Sequence, residues 1–304
     1  MSATIFIDGE AGTTGLQIRG KLAGVSGLKL ASLPPEARKD AAAKQNLYSE
    51  VDVVILCLPD DAAKEAAHLI DAMGADAPRV IDASSAHRVA PGWIYGFPEL
   101  VAGQGEAVAK ADKVSNPGCH ATGAIALLRP LTDAGLMPKD ALVSIASVSG
   151  YSGGGKAMIE AYETGKAPAF ELYGLGLEHK HMPEIQLYSG LTARPIFTPS
   201  VGNFRQGMLV SVPLHLDLLP GKPKIADLIA TFKKHYRAQK HFRVAESGET
   251  PRIEPESLNG TNDIEIHVYP NEARGQALMV AKFDNLGKGA SGAAVQNLML
   301  MLGR

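Results

Sequence analysis

Ala3-Thr4-Ile5-Phe6-Ile7-Asp8-Gly9-Glu10-Ala11-Gly12-Thr13-Thr14-Gly15 decides the fold of this 304-residue chain. A strand-like apolar run breaks into a Gly-x-x-Gly-x-x-Gly turn, and a helix pattern follows from about Thr14 to Leu22. Glycines are needed where backbone must approach a pyrophosphate, and the next helix start adds N–H donors and the positive end of its dipole. The spacing differs from the commoner Gly-x-Gly-x-x-Gly, so its place between strand and helix carries the reading. Gly9, Gly12, Thr13, Thr14 and Gly15 are the candidate dinucleotide contacts; a glycine turn with no ligand is the bland alternative.

Outward from that turn, strands and helices alternate. Leu28–Leu33 reads as a second strand. Residues 51–58 are apolar apart from Asp52 and read as a buried parallel strand containing Cys57, a structural cysteine. Asp60 is placed to cap a helix whose Ala63, Ala66, Ala67, Ile70 and Met73 share one face. Val80–Ala83 is another strand, and Ser84, Ser85 and His87 follow its end. The alternation argues for an α/β fold with a parallel, doubly wound sheet. The second strand ends at Leu30-Ala31-Ser32-Leu33, without the acidic residue that usually meets the ribose hydroxyls in an NAD site. Ser32, Arg38 and Lys39 could meet a 2′-phosphate instead, which favours NADP; solvated surface charge is the competing reading.

The second half changes texture. Ala141–Val148, Met208–Val212, Ile264–Val268 and Ala277–Phe283 read as strands. Ile264, Ile266 and Val268 alternate with Glu265 and His267, a period of two that marks an antiparallel, half-solvated sheet. Ile225–Tyr236 reads as an amphipathic helix, Ala290–Leu302 as a helix able to return to the first domain, and Glu246–Pro255 as a long loop.

Two segments here carry chemistry. In Ser115-Asn116-Pro117-Gly118-Cys119-His120-Ala121-Thr122-Gly123 a turn leads into an Ala/Leu-rich run. If that run is a helix, Cys119 stands at its N-terminus, where unpaired N–H groups and the dipole favour a thiolate. A small buried hydrophobe is the alternative for such a thiol. His179-Lys180-His181-Met182-Pro183-Glu184 supplies two imidazoles beside a carboxylate, the kind of partner that a cysteine nucleophile needs. Gly150-Tyr151-Ser152-Gly153-Gly154-Gly155-Lys156 mimics a phosphate-binding loop of a nucleotide triphosphatase. Ala157 follows, so the Mg²⁺-holding hydroxyl is missing. The loop reads instead as amides and Lys156 facing an anionic substrate group, with a tight structural turn as the alternative for the glycines.

Composition excludes several classes. Net charge of −2 offers no basic excess for nucleic acid. No stretch approaches the ~18 uncharged apolar residues of a membrane span. Two cysteines cannot form a disulfide framework, and the start lacks the pattern of a signal peptide, so a cytoplasmic location is expected. No metal-ligand spacing occurs, and none is expected to bind.

Together these residues resemble the short form of the N-acetyl-γ-glutamyl-phosphate reductases, within the aspartate-semialdehyde dehydrogenase-like group. The resemblance runs nearly end to end, through Gly9–Gly15, Ser115–Cys119, Ser149–Lys156, His179–Glu184 and Asp284-Asn285-Leu286-Gly287-Lys288-Gly289-Ala290. Met182 departs from it, standing where many relatives carry a small polar residue. It implies a Rossmann-type NADP-binding domain of residues 1–116 plus 285–304. An inserted α+β domain with a mixed or antiparallel sheet, residues 117–284, would carry catalysis and the contacts of a homo-oligomer, dimer or tetramer. Cys119 would form a thioester with an acyl phosphate, with His181 as acid/base and His179 as its competitor. Ser84, Ser85, Asn285 and Gly289 would line the cofactor. Asn116, Gly154, Lys156, Glu184 and Arg205, with Gln206, would face the substrate. Aspartyl-phosphate reduction, nucleotide triphosphate hydrolysis and a non-catalytic NADP-binding regulator remain the rival functions.

Overall fold

The computed structural model describes residues 2–245 and 252–304 in two compact units, one of residues up to Pro98 with Ala102–Pro117 and Ala290–Arg304, the other of Glu99–Val101 and Gly118–Gly289. The first unit carries β1 (Ala3–Asp8), β2 (Leu28–Ala31), β3 (Val53–Leu56), β4 (Arg79–Asp82), β5 (Ile94–Tyr95) and β6 (Lys113–Ser115). They form a parallel sheet in the order β2-β1-β3-β4-β6-β5. Between them lie α1 (Thr13–Leu22), α2 (Ala41–Tyr48), α3 (Asp60–Asp71) and α4 (Gln104–Lys110). Successive strand side chains point to opposite faces. Ile5, Ile7, Val53 and Ile55 therefore pack with Ile18 and Leu22 of α1, Val108 of α4, and Ala294, Leu298 and Met301 of the C-terminal helix. Phe6, Val54 and Leu56 pack on the other face with Tyr48, Ala66 and Ile70. Burial on both faces explains the unbroken apolar run of β3.

Several boundaries differ from the sequence reading. β2 stops at Ala31, and β3 is the four-residue centre of the apolar stretch. Pro59, not Asp60, is the N-cap of α3. Asp60 lies in the first turn, where its carboxylate accepts from the Ser85 N–H at 2.9 Å and the Ser85 hydroxyl at 2.7 Å.

The second unit contains α5 (Cys119–Asp133), β7 (Ser144–Gly150), α6 (Gly155–Glu163), β8 (Phe170–Leu172), α7 (Met182–Ser189), β9 (Ile196–Gly202) and β10 (Met208–His215). It continues through α8 (Ile225–His235), β11 (Phe242–Val244), β12 (Ile264–Asn271) and β13 (Gln276–Phe283). The seven strands run β11-β12-β13-β10-β7-β9-β8 in a mixed sheet, with β7–β9 and β11–β12 parallel. α5 is buried almost throughout and lies on β10 and β13. Gly123 permits this approach: a Cβ there would come within 2.5 Å of the Val210 side chain and 2.8 Å of Phe283. On β12, Ile264, Ile266 and Val268 are buried, but Glu265, expected on the solvated face, is buried too. Arg243 and Lys282 stand directly opposite it on β11 and β13 and pair with it, which allows the carboxylate to leave water. Of the long loop expected over Glu246–Pro255, residues 246–251 lie outside the described residues. The last helix begins later than its apolar run: a turn of π geometry spans Gly287–Ser291, and α9 covers Gly292–Met301.

Candidate active site

Cys119 is the first residue of α5, with Gly118 as N-cap, no side-chain cap and no acidic residue in the first turn. A thiol here faces the positive end of a fifteen-residue helix. The Gly118 N–H donates to Glu184 Oε2 at 3.1 Å, and Thr122 donates back to the Gly118 carbonyl through both its N–H and its hydroxyl. These bonds fix the elbow. Gly289 packs on the other side of the cysteine, where a Cβ would lie 2.9 Å from Cys119 Cβ.

Three histidines gather in the same unit. His179 and His181 have ring centroids 4.7 Å apart, and His120 lies 5.4 Å and 5.5 Å from them. The His181 N–H donates to His179 Nδ1 at 3.1 Å. An amide can only donate, so neutral His179 carries its proton on Nε2. His181 is buried at the N-cap of α7. His120 Nδ1 and Nε2 lie 2.7 Å from Ser147 Oγ and 2.7 Å from the Tyr173 hydroxyl. Burial, then the nearby Cys119, raises the Tyr173 pKa, so its phenol stays protonated.

Burial pushes the His120 pKa down to about 3, with His179 and Lys180 adding to the effect. In the unfolded chain a histidine titrates near ~6.5, so between these values the unfolded state binds a proton that the fold excludes. Stability from this group is complete above about pH 6.5 and declines by up to ~1.4 kcal/mol per pH unit as pH falls. The expected loss at pH 4 is about 3 kcal/mol. Urea unfolding at pH 7 and pH 4 checks it: His120→Gln should lose less stability across this range than the wild type, and equal losses would refute the assignment.

Other sequence candidates are placed less simply. Asn116 is buried; its Nδ2 donates to the Ala290 carbonyl at 3.0 Å and its Oδ1 accepts from Asn297 at 3.1 Å, tying β6 to the C-terminal segment. Asn285 bridges the Gly207 N–H at 2.8 Å and the Ser152 hydroxyl at 3.1 Å. Glu184 is 1% exposed and holds Gly118. Arg205 pairs with Glu163 of α6, and Gln206 donates to Asp284 at 2.6 Å. The Gly150–Lys156 segment folds as a 3-10 turn over Tyr151–Gly154 running into α6. The amides of Gly150, Tyr151 and Ser152 donate to Gly207, Phe204 and Arg205, so they do not wrap an anion. Gly154 and Lys156 lie exposed at the start of α6.

In the first unit, the glycine turn follows β1 beside the end of β3, where the strand order reverses and α/β folds bind ligands. A Cβ on Gly9 would lie 2.3 Å from the Cys57 carbonyl, and one on Gly15 2.5 Å from the Gly9 carbonyl. Gly12 is the N-cap of α1, whose first turn, with Thr13 and Thr14, has no side-chain cap and no acid. That cradle fits a dinucleotide pyrophosphate. Cys57 is pushed up to about 12 by burial and by Asp82 and Asp8, which leaves it an inert thiol. The Ser84 hydroxyl and His87 Nδ1 bond Asp82 at 2.7 Å and 2.6 Å, and Ser85 bonds Asp60.

His120, Tyr173 and Arg19, which reaches Ser32 at 2.8 Å, went unseen in the sequence. His120 directly follows Cys119, the one local signal that could have drawn attention to it. Among the described residues no group of His, Cys, Asp or Glu is arranged to hold a metal ion.

Two family models match the chain. "Semialdehyde dehydrogenase, NAD binding domain" matches residues 25–109, and "Semialdehyde dehydrogenase, dimerisation domain" matches residues 119–285. A Pseudomonas putida protein named N-acetyl-gamma-glutamyl-phosphate reductase 2 is 53% identical, over 98% of this chain and 96% of its own. A Chelativorans N-acetyl-gamma-glutamyl-phosphate reductase is 53% identical, over 99% of each. Among solved structures, aspartate semialdehyde dehydrogenase II from Vibrio cholerae superposes with a TM-score of 0.75 at 16% identity, over 100% of this chain and 99% of that one. The Candida albicans aspartate semialdehyde dehydrogenase solved with NADP gives 0.68 at 14%, over 99% of each. These structures share the fold. With sequence identity of this extent over the whole length, the chain belongs to the N-acetyl-gamma-glutamyl-phosphate reductase family of semialdehyde dehydrogenase-like oxidoreductases.

Proposed function

We propose that this protein reduces N-acetyl-γ-glutamyl phosphate to N-acetylglutamate semialdehyde with release of inorganic phosphate, as a step of arginine biosynthesis in the cytoplasm. Cys119 at the uncapped start of α5, beside the histidine cluster, carries the reading. The thiolate attacks the acyl carbon, the carbon–oxygen bond to phosphate breaks, and a thioester remains on Cys119. Helix-start amides stabilise the oxyanion of that attack. The bound dinucleotide would supply the hydride that reduces the thioester. His181 protonates the oxyanion of the reduced tetrahedral adduct on Cys119 and takes the proton back as the carbon–sulfur bond breaks, which releases the semialdehyde and the Cys119 thiolate. His179, its Nδ1 held by the His181 amide, is the competitor for that role. Arg205 is paired with Glu163, so Lys156 is the cation we assign to the anionic end of the substrate.

NADP is the cofactor of this reading, with Ser32 and Arg38 at its 2′-phosphate. Residues 117–284 form the catalytic domain, and residues 1–116 with 285–304 hold the cofactor. Self-association as a dimer or tetramer is supported by the description of the matching dimerisation-domain model and by exposed Phe170 and Leu172 on edge strand β8. Incubation with NADP⁺, phosphate and either N-acetylglutamate semialdehyde or aspartate semialdehyde tests the function. Phosphate-dependent NADP⁺ reduction is expected with the acetylated substrate at least ~100-fold faster in kcat/KM, a discrimination that polar recognition of one group supplies. Equal or faster turnover of aspartate semialdehyde, or independence from phosphate, would overturn it.

A further inference from the structure

The glycine turn carries a carboxylate, Glu10, that a pyrophosphate cradle has no use for. Its side chain is 10% exposed and reaches the end of β2. Oε2 accepts from Arg19 Nη1 at 2.7 Å and from the Ser32 hydroxyl at 3.0 Å, while Oε1 accepts from Arg38 Nη2 at 2.7 Å. Arg38 is further held by its Nε donating to the Leu33 carbonyl at 3.2 Å. Both guanidiniums remain about two-fifths exposed, at 43% and 40%. These side chains, with Ala11 and Leu16, line a surface cavity of about 290 Å³.

Two arginines and a serine around one point make a fork-shaped anion site, and guanidinium pairs bind phosphate monoesters well. Here a carboxylate of the protein already occupies the point where the forks converge. An acidic group at the end of the second strand is what accepts ribose hydroxyls in NAD sites. None is encoded in β2; the fold supplies one from the preceding turn.

We propose that Glu10 is the specificity-determining residue of this cavity. It accepts the free 2′-hydroxyl of an adenosine ribose, and it competes with a 2′-phosphate for Arg19 and Arg38. Preference for the 2′-phosphorylated nucleotide is therefore moderated, and both forms are admitted. The inference rests on the dinucleotide reading of the Gly9–Gly15 turn.

Isothermal titration of the full-length protein with adenosine 2′,5′-bisphosphate and with AMP, which differ only in the 2′-phosphate, separates the parts. Glu10→Gln is expected to raise the ratio of the two affinities about tenfold in favour of the bisphosphate, because a charge competing at contact distance is removed while the shape stays. Arg19→Gln should move the ratio about tenfold the other way and change AMP binding little. An unchanged ratio in Glu10→Gln, or a shift toward AMP, overturns the role of Glu10 while the dinucleotide site stands. Failure of the wild type to bind either nucleotide overturns the dinucleotide reading itself. If Glu10→Gln fails to fold, a wild-type preference for the bisphosphate above ~10³-fold, the full value of an uncontested charge-assisted fork, would equally refute moderation.

Discussion

Cys119→Ser is expected to lower turnover of the acetylated semialdehyde by at least ~10³-fold, because removal of a covalent nucleophile leaves only binding and electrostatic stabilisation. A serine hydroxyl is nearly isosteric, yet the helix start that favours a thiolate cannot ionise an alcohol at neutral pH. KM should change far less than kcat. Alkylation gives a second, independent reading. Iodoacetamide at neutral pH should modify Cys119 and spare Cys57, whose thiol is held near about 12 by burial and by Asp82 and Asp8. Peptide mass mapping reports both sites from one sample. A Cys119→Ser protein with near-wild-type turnover would exclude the thioester route, and preferential labelling of Cys57 would contradict the roles of the two cysteines.

Lys288→Met is expected to destabilise the protein by about 3–5 kcal/mol. The ammonium is 1% exposed and bonds both oxygens of Glu99, 3% exposed, at 2.8 Å and 2.7 Å. Burial lowers the Lys288 pKa, and Glu99 opposes that shift. Truncating one partner strands a carboxylate in a place where water cannot reach it, which costs far more than the pair itself contributes. The double variant Glu99→Gln, Lys288→Met should recover part of the loss, and urea unfolding of all three proteins measures it. If the single variant loses less than ~1 kcal/mol, the range of exposed ion pairs, the buried pair is not what holds this turn. The pair matters beyond stability. Lys288 anchors the π turn that places Gly289 against Cys119, so kcat of the single variant should fall as well.

Much of the fold was legible because it is encoded in local patterns. The turn after Asp8 announced the strand–glycine–helix unit, and the apolar run around Val53–Leu56 announced a strand covered on both faces. Cys119 at a helix start followed from Asn-Pro-Gly before an Ala/Leu-rich segment. Two positions depart from their local pattern because partners distant in the chain meet them. Asp60 looked like a cap, but Pro59 takes that position and Asp60 holds Ser85 instead. Glu265 looked solvated by alternation, but cross-strand Arg243 and Lys282 neutralise it.

The sequence by itself therefore determined the doubly wound first half, the sheet of the second, the glycine cradle and the two segments bearing Cys119 and the histidines. These depend on backbone propensity and on the periodicity of apolar residues, which neighbours in the chain set. Only the tertiary structure decided which side chains meet. Lys288 finds Glu99 across 189 positions, His120 finds Tyr173 across 53, and Glu10 gathers Arg38 across 28. A hydrogen bond or ion pair depends on a separation of about 3 Å in space, and chain topology, not sequence distance, fixes that separation.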